Sequence, residues 1–174
     1  MGRHAIVDVH GVLFGRQHYD DSPPGDFIVG LRDAGYLVQI VTNSSSVTPA
    51  DLTNELVARG IPVCVSDVVT MAMVAAHRLS SLGVGEVAVI GSDVLRSELK
   101  RLVPGLRVME VGASEVLLVT RDPGLTEETL DCVRLHPPRL IFATCKDASF
   151  ADASGVHVGP GVTVRRVEKA ADRE

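Results

Sequence analysis

Ala5-Ile6-Val7-Asp8-Val9-His10-Gly11-Val12-Leu13 opens on three apolar residues, partly β-branched, and then stops at an aspartate. A short apolar run closed by one acidic residue reads as a buried parallel strand reaching solvent at its carboxyl end. A stretch with Gly and Pro follows over residues 11–25, and then Phe27, Ile28 and Leu31 mark a helix over 26–34 that Gly35 stops. A second apolar run over 37–41 ends in Thr42-Asn43-Ser44-Ser45-Ser46. Thr48 then stands as an N-cap with Pro49 at the first helical position, and Leu52 and Leu56 give that helix one buried face up to Gly60. The apolar run over 61–65 reads as a third strand. Residues 1–65 are thus β-α-β-α-β, with connections that suit a parallel sheet.

Farther along, Val68, Ala72, Ala76 and Leu79 form one stripe of a helix expected over 67–82. The pattern then restarts, with strands over 87–90, 108–111, 116–119 and 140–143 and helices over 93–102 and 126–135. These residues predict a second α/β lobe over 70–159. The tail over 160–174 begins near Gly159-Pro160-Gly161 and ends in charged residues, which suits a weak helix or a frayed end.

The chain has 174 residues, 45% of them hydrophobic, enough to bury a core. A formal charge of −5 with no Lys/Arg run argues against nucleic acid or an anionic membrane as partner. Cys64, Cys132 and Cys145 lack CxxC spacing, so neither a disulfide framework nor a zinc site is indicated. The first residues are interrupted by Asp8 and His10 too soon for a signal peptide, and no apolar run approaches spanning length. The expectation is a cytoplasmic protein.

Read from the residues alone, Asp8 sits where open α/β sheets place their ligand crevice, a position for a nucleophile or for a plain loop aspartate. Thr42 to Ser46 offers hydroxyls, an amide and backbone N–H groups just before a helix, which suits a phosphate oxyanion. The same residues also make an ordinary turn and N-cap. His77 and His136 have no second ligand at metal spacing, and Met71 and Met73 read as packing residues.

Val7-Asp8-Val9-His10-Gly11-Val12-Leu13 resembles the nucleophile motif of haloacid-dehalogenase-type phosphatases, Asp-x-Asp-Gly-Val/Thr. Val41-Thr42-Asn43-Ser44-Ser45-Ser46, with Thr48-Pro49, Leu52, Leu56 and Gly60-Ile61, is similar to the second motif of the NagD and 4-nitrophenylphosphatase-like branch, subfamily IIA. The likeness continues through Val87-Ala88-Val89-Ile90-Gly91, Arg121-Asp122 and Ile141-Phe142-Ala143-Thr144 to Val158-Gly159-Pro160-Gly161.

This resemblance implies an α/β fold: the N-terminal half of a Rossmannoid core with parallel strands over 1–69, a C2-type α/β cap over 70–159, and a tail. It implies Asp8 as the nucleophile that forms an aspartyl-phosphate, and His10 where the family has its second Asp, the proton-transfer residue. Mg²⁺ would be held by Asp8 and the backbone carbonyl of His10. Thr42, Asn43 and Ser44 would hold the phosphoryl group, and Lys146 and Asp147 lie on a cap loop that dips toward the nucleophile. Gly91-Ser92-Asp93 matches a cap turn. The family's later Gly-Lys-Pro lysine and acidic Gly-Asp-x-x-x-x-Asp motif do not follow residue 161, so the Mg²⁺ site is expected to be incomplete and the chain truncated after the cap.

The implied function is a phosphatase-type hydrolase for a small phosphorylated metabolite, impaired or incomplete as the chain stands. The alternatives are a non-catalytic relative that binds a ligand or partner, and a fragment of a longer phosphatase. With the other half of the sheet missing, residues 5–7 would form an unprotected edge. Self-association or a complementary partner chain is therefore expected.

Overall fold

The computed structural model describes residues 2–14, 23–152 and 155–172. Part of the stretch over 11–25 therefore lies outside the described residues. The first sheet has the order β1 (Arg3–Asp8), β2 (Tyr36–Thr42), β3 (Val68–Thr70), all parallel. Alternation decides its faces. Val7, Val38, Ile40 and Val68 point to one side, where Val9, Ile28 of α1 (Pro24–Asp33), Leu52 and Leu56 of α2 (Pro49–Ala58), and Ile61 complete a buried cluster. Ile28 and Leu56 are fully buried, each stabilising by roughly 2 kcal/mol through the apolar area withdrawn from water. On the opposite face Ile6 is 73% exposed and Leu37 60% exposed. No described element covers them.

Thr48 caps α2 as its sequence position predicts, accepting from the Asp51 N–H at 3.1 Å while its hydroxyl donates to the Asp51 carboxylate at 2.7 Å. The third strand corrects the expectation. The run over 61–65 is not a strand, because a turn takes over its hydrogen bonding. The Asp67 carboxylate accepts from the Cys64 N–H at 2.9 Å and pairs with Arg32 at 2.8 Å, closing a 3₁₀ turn over Val65–Asp67. Pro62 contributes no N–H to a ladder, and its carbonyl accepts from Arg32. Pairing with β2 begins only at Val68, opposite Ile40. Val68 thus belongs to a strand, and the helix α3 starts at Met71 and runs to Ser81.

The second sheet, also parallel, has the order β5 (Arg107–Met109), β4 (Glu86–Ile90), β6 (Val116–Val119), β7 (Leu140–Ala143). Both faces are covered. Val87, Val89 and Leu118 pack under α3 and α4 (Asp93–Leu102). Ala88, Ile90, Leu117 and Val119 pack under α5 (Glu127–Leu135) and α6 (Pro160–Ala170). The tail is therefore a docked helix over most of its length: Val164 and Val167 are buried on the second sheet, and α6 does not shield the β1 edge. An antiparallel hairpin, β8 (Ser149–Asp152) with β9 (Gly155–Val158), precedes it. Where the hairpin hands over to α6, bare backbone packs on backbone. The Gly161 N–H donates to the Asp147 carbonyl at 2.8 Å and the Gly159 N–H to the Ala148 carbonyl, also at 2.8 Å. A Cβ at Gly161 would run into the Lys146 carbonyl. Among the described residues no helix is long and apolar enough to cross a membrane.

Candidate functional site

Parallel sheets expose their ligand-facing loops at the carboxyl ends of the strands, and here the two sheets turn those ends toward one another. Ser45, in the loop after β2, bonds Thr120, in the loop after β6, with 2.6 Å between the hydroxyl oxygens. Ser92, after β4, donates to the Ser45 carbonyl at 3.2 Å. Asn43 approaches the Cys145 sulfur, after β7, with its side-chain amide 3.9 Å away. A seam between the lobes is thereby lined by loops from both.

Asp8 ends β1 on the first sheet's side of this arrangement, paired in register with Val41, one residue before Thr42. Its side chain is exposed, and one carboxylate oxygen accepts the Val9 N–H at 2.9 Å, while the other has no hydrogen-bond partner among the described residues. The chain then turns tightly. Gly11, at φ +90°, takes a conformation that suits glycine, the N–H groups of Leu13 and Phe14 donate to the Val9 carbonyl, and Val9 and Leu13 anchor the turn in the core. His10 is held on the exposed side with its ring edge-on to Phe14 at 6.0 Å between centroids.

In the Thr42–Ser46 loop the hydroxyls have different duties. Thr42 is buried and its Oγ1 accepts the Ser44 N–H at 3.1 Å, forming the turn. Ser44 Oγ accepts the Ser46 N–H at 3.3 Å and lies 3.2 Å from Ser46 Oγ. Asn43 is exposed. The geometry thus brings Asp8 and the loop to one end of one sheet, with Asn43 and Ser44 more accessible than Thr42.

Lys146 and Asp147 are drawn elsewhere. The Lys146 ammonium is bound to Glu168 on α6 at 2.6 Å, and Asp147 accepts from the Cys145 thiol at 3.0 Å. Burial pushes the Cys145 thiol above its usual range, and the Asp147 carboxylate it faces raises it further. It stays protonated near neutral pH and offers no thiolate to compete with Asp8. Ser92 is the N-cap of α4, accepting the Leu95 N–H at 3.2 Å, and Asp93 pairs with Arg96. Gly91-Ser92-Asp93 is a turn in the second lobe.

Among the described residues, a divalent cation with a preference for six oxygens would find Asp8 and the His10 carbonyl but no carboxylate grouped with them. Among the described residues no three His, Cys, Asp or Glu side chains cluster as a metal site. The described donors by themselves do not make up a complete Mg²⁺ site. The chain's lysines are Lys100 on α4, Lys146 tied to Glu168, and Lys169 on α6.

The sequence profile of haloacid dehalogenase-like hydrolases matches residues 5–102, more than half of the chain. The chain belongs to that family. Similar solved structures include a hypothetical protein from Pyrococcus horikoshii OT3, with a TM-score of 0.82 and 26% identity over 99% of this chain and 69% of its own. A p-nitrophenyl phosphatase from Archaeoglobus fulgidus gives a TM-score of 0.81 and 21% identity over 99% of this chain and 66% of its own. A glycerol phosphate phosphatase from Mycobacterium tuberculosis, solved in complex with magnesium, gives 0.80 and 23% over 99% and 53%. The chain thus spans roughly half to two thirds of these proteins. No curated protein sequence matches it.

Sequence reasoning did not find Ser45, Thr120 and Ser92 as a connected group. Ser45 and Thr120 are 75 positions apart, and no local pattern marks two hydroxyls that meet only after both lobes fold.

Proposed function

We propose that the chain carries the phosphoryl-binding half of a phosphatase-type active site, with Asp8 as nucleophile toward a small phosphorylated metabolite. The observation behind this reading is the strand register. Asp8 stands opposite Val41, so its open carboxylate oxygen and the Asn43–Ser46 groups share one sheet end. In the proposed reaction a carboxylate oxygen of Asp8 forms a bond to phosphorus as the bond to the leaving oxygen breaks, and His10 or water supplies that oxygen's proton. Water then attacks phosphorus, releasing inorganic phosphate and restoring the carboxylate. The N–H groups of the loop and the Asn43 amide steady the phosphoryl oxygens. Lys146 and Asp147 act on the second lobe's loop, with Lys146 released from Glu168 if it meets substrate.

Turnover by these residues alone is expected to be negligible. Among the described residues, one carboxylate and a lysine already paired with Glu168 leave the developing negative charge poorly compensated, and each such loss typically costs about 10² to 10³ in rate. The same donor set favours a second reading, a relative that binds a phosphorylated ligand without converting it. Two measurements test the proposal. Inorganic phosphate should shift the backbone amides of Asn43 to Ser46, more tightly in Asp8→Asn, which removes a like charge, and more weakly in Asn43→Ala. Hydrolysis of p-nitrophenyl phosphate with Mg²⁺ should be no faster than in Asp8→Asn. Phosphate that leaves these amides unmoved would sink the site assignment, and Asp8-dependent turnover would overturn the view that it is incomplete.

A further inference from the structure

Ser45 and Thr120 form the only hydroxyl-to-hydroxyl bond among those described that joins the two lobes. At 2.6 Å it lies at the short end of the O–H···O range, and both residues are buried, with Ser45 6% and Thr120 2% exposed. Shielded from water, neither hydroxyl has solvent to turn to, so removing one leaves the other unsatisfied. The second lobe is built to hold its side of the pair rigidly. The Thr120 N–H donates to the Ile90 carbonyl at 2.9 Å, and Arg96 braces the neighbouring strand end by donating to the carbonyls of Val89 at 2.8 Å and Gly91 at 2.7 Å. Any Cβ at Gly91 would collide with the Thr120 methyl. On the loop side, Ser92 holds the Ser45 carbonyl and the Met71 N–H holds the Ser44 carbonyl, at 3.2 and 3.3 Å.

Consecutive serines in this loop therefore face different ways. Ser45 is buried in the other lobe, while Ser44 and Ser46 remain bonded to each other on the exposed side, next to Asn43. We infer that Ser45 and Thr120 are positioning residues: their bond fixes the loop in the conformation that presents Asn43 and Ser44 toward the Asp8 end of the sheet. The anion-binding face of the first lobe thus takes its shape from the second lobe as well as from the turn that Thr42 forms at its own strand end. This inference rests on the reading of the loop as a phosphate site and extends it to the residues that shape that site.

The test compares Ser45→Ala, Thr120→Val and Thr120→Ser in the full chain, with Ile28→Val as a control that weakens the first core away from the loop. Each protein is titrated with inorganic phosphate, and amide exchange at Ser44 and Ser46 is followed without ligand. Ser45→Ala and Thr120→Val should each weaken phosphate binding about tenfold, as the loss of one buried hydrogen bond allows. Both should also speed exchange by about tenfold through easier local opening. Thr120→Ser, which keeps the hydroxyl, and Ile28→Val should retain both properties. Unchanged exchange in Thr120→Val overturns the inference, as does an equal loss in Thr120→Ser or in the control. If no form binds phosphate, the phosphate reading fails, and the exchange arm still decides whether the hydroxyl pair holds the loop.

Discussion

β2 and β4 are both inner strands of parallel sheets and both are rich in valine and isoleucine, yet water reaches one and is kept from the other. In β4, Val87 to Ile90 are buried on both faces, under α3 and α4 on one side and α5 and α6 on the other. In β2 the residues alternate, Val38 and Ile40 inside and Leu37 60% exposed. β1 repeats the contrast as an edge, with Val7 buried and Ile6 bare. Parallel strands are ordinarily covered on both sides. The second lobe therefore buries both faces of its sheet, whereas among the described residues the first is a layer with its core on one side, presenting an apolar face and an open row of backbone groups on the β1 edge.

The comparison is tested most severely by truncating core leucines. Leu118→Ala or Leu99→Ala should cost about 2–5 kcal/mol in urea unfolding, whereas Leu37→Ser should stay within roughly 0.5 kcal/mol. A comparable loss at Leu37 would mean that its face is covered after all. Self-association sharpens the contrast next. The chain should scatter light as more than a monomer at low micromolar concentration, and Ile6→Lys, a charge on the bare edge, should shift it toward monomer by a factor of about ten or more in dissociation constant. A monodisperse monomer with slow amide exchange at Ile6 and Val7 would end the argument for an open edge.

The smallest effect belongs to the closed lobe. Glu127 binds Arg166 at 2.9 Å and Arg134 at 3.3 Å, joining α5 to α6, and hydrogen bonding first to Arg166 and then to Arg134 holds its carboxyl below the ordinary range. A carboxyl depressed in the folded state stabilises above its unfolded value and loses that contribution as pH falls through the folded one. The clamp should thus be intact at neutral pH and weaken only under acid conditions. Exposed as it is, Glu127→Gln should lower the thermal midpoint slightly at pH 7 and have no effect well below the carboxylate range.

Local signals in the chain carry most of this architecture. Thr48-Pro49 marks the start of α2, Gly35 and Gly60 end their helices, and alternation marks the inner face of β2, because each is settled within a few residues. The run over 61–65 misleads because Ile61, Val63 and Val65 alternate like a strand, while the carboxylate that diverts the backbone, Asp67, is set by Arg32 on another element. In the tail, charges hide the stripe of Val164 and Val167, whose burial needs a sheet formed earlier in the chain. At the site, Asp8 and the Thr42–Ser46 loop stand out by position, but their division of labour does not. Four adjacent hydroxyl residues over 42–46 look alike until folding buries Thr42 and Ser45 and leaves Ser44 and Ser46 outside.

The handover from β9 to α6 has a consequence for how such a site changes over generations. Gly161 and Gly159 lie directly against the backbone of residues 146–148, so the height of the Cys145–Asp147 loop above Asn43 is set by the thickness of unadorned main chain. A single methyl group at 161 would act as a shim, tilting that loop by the width of an atom without altering any residue that faces the seam. The mouth between the lobes is thus adjustable from behind, by positions that pack on the back of the loop.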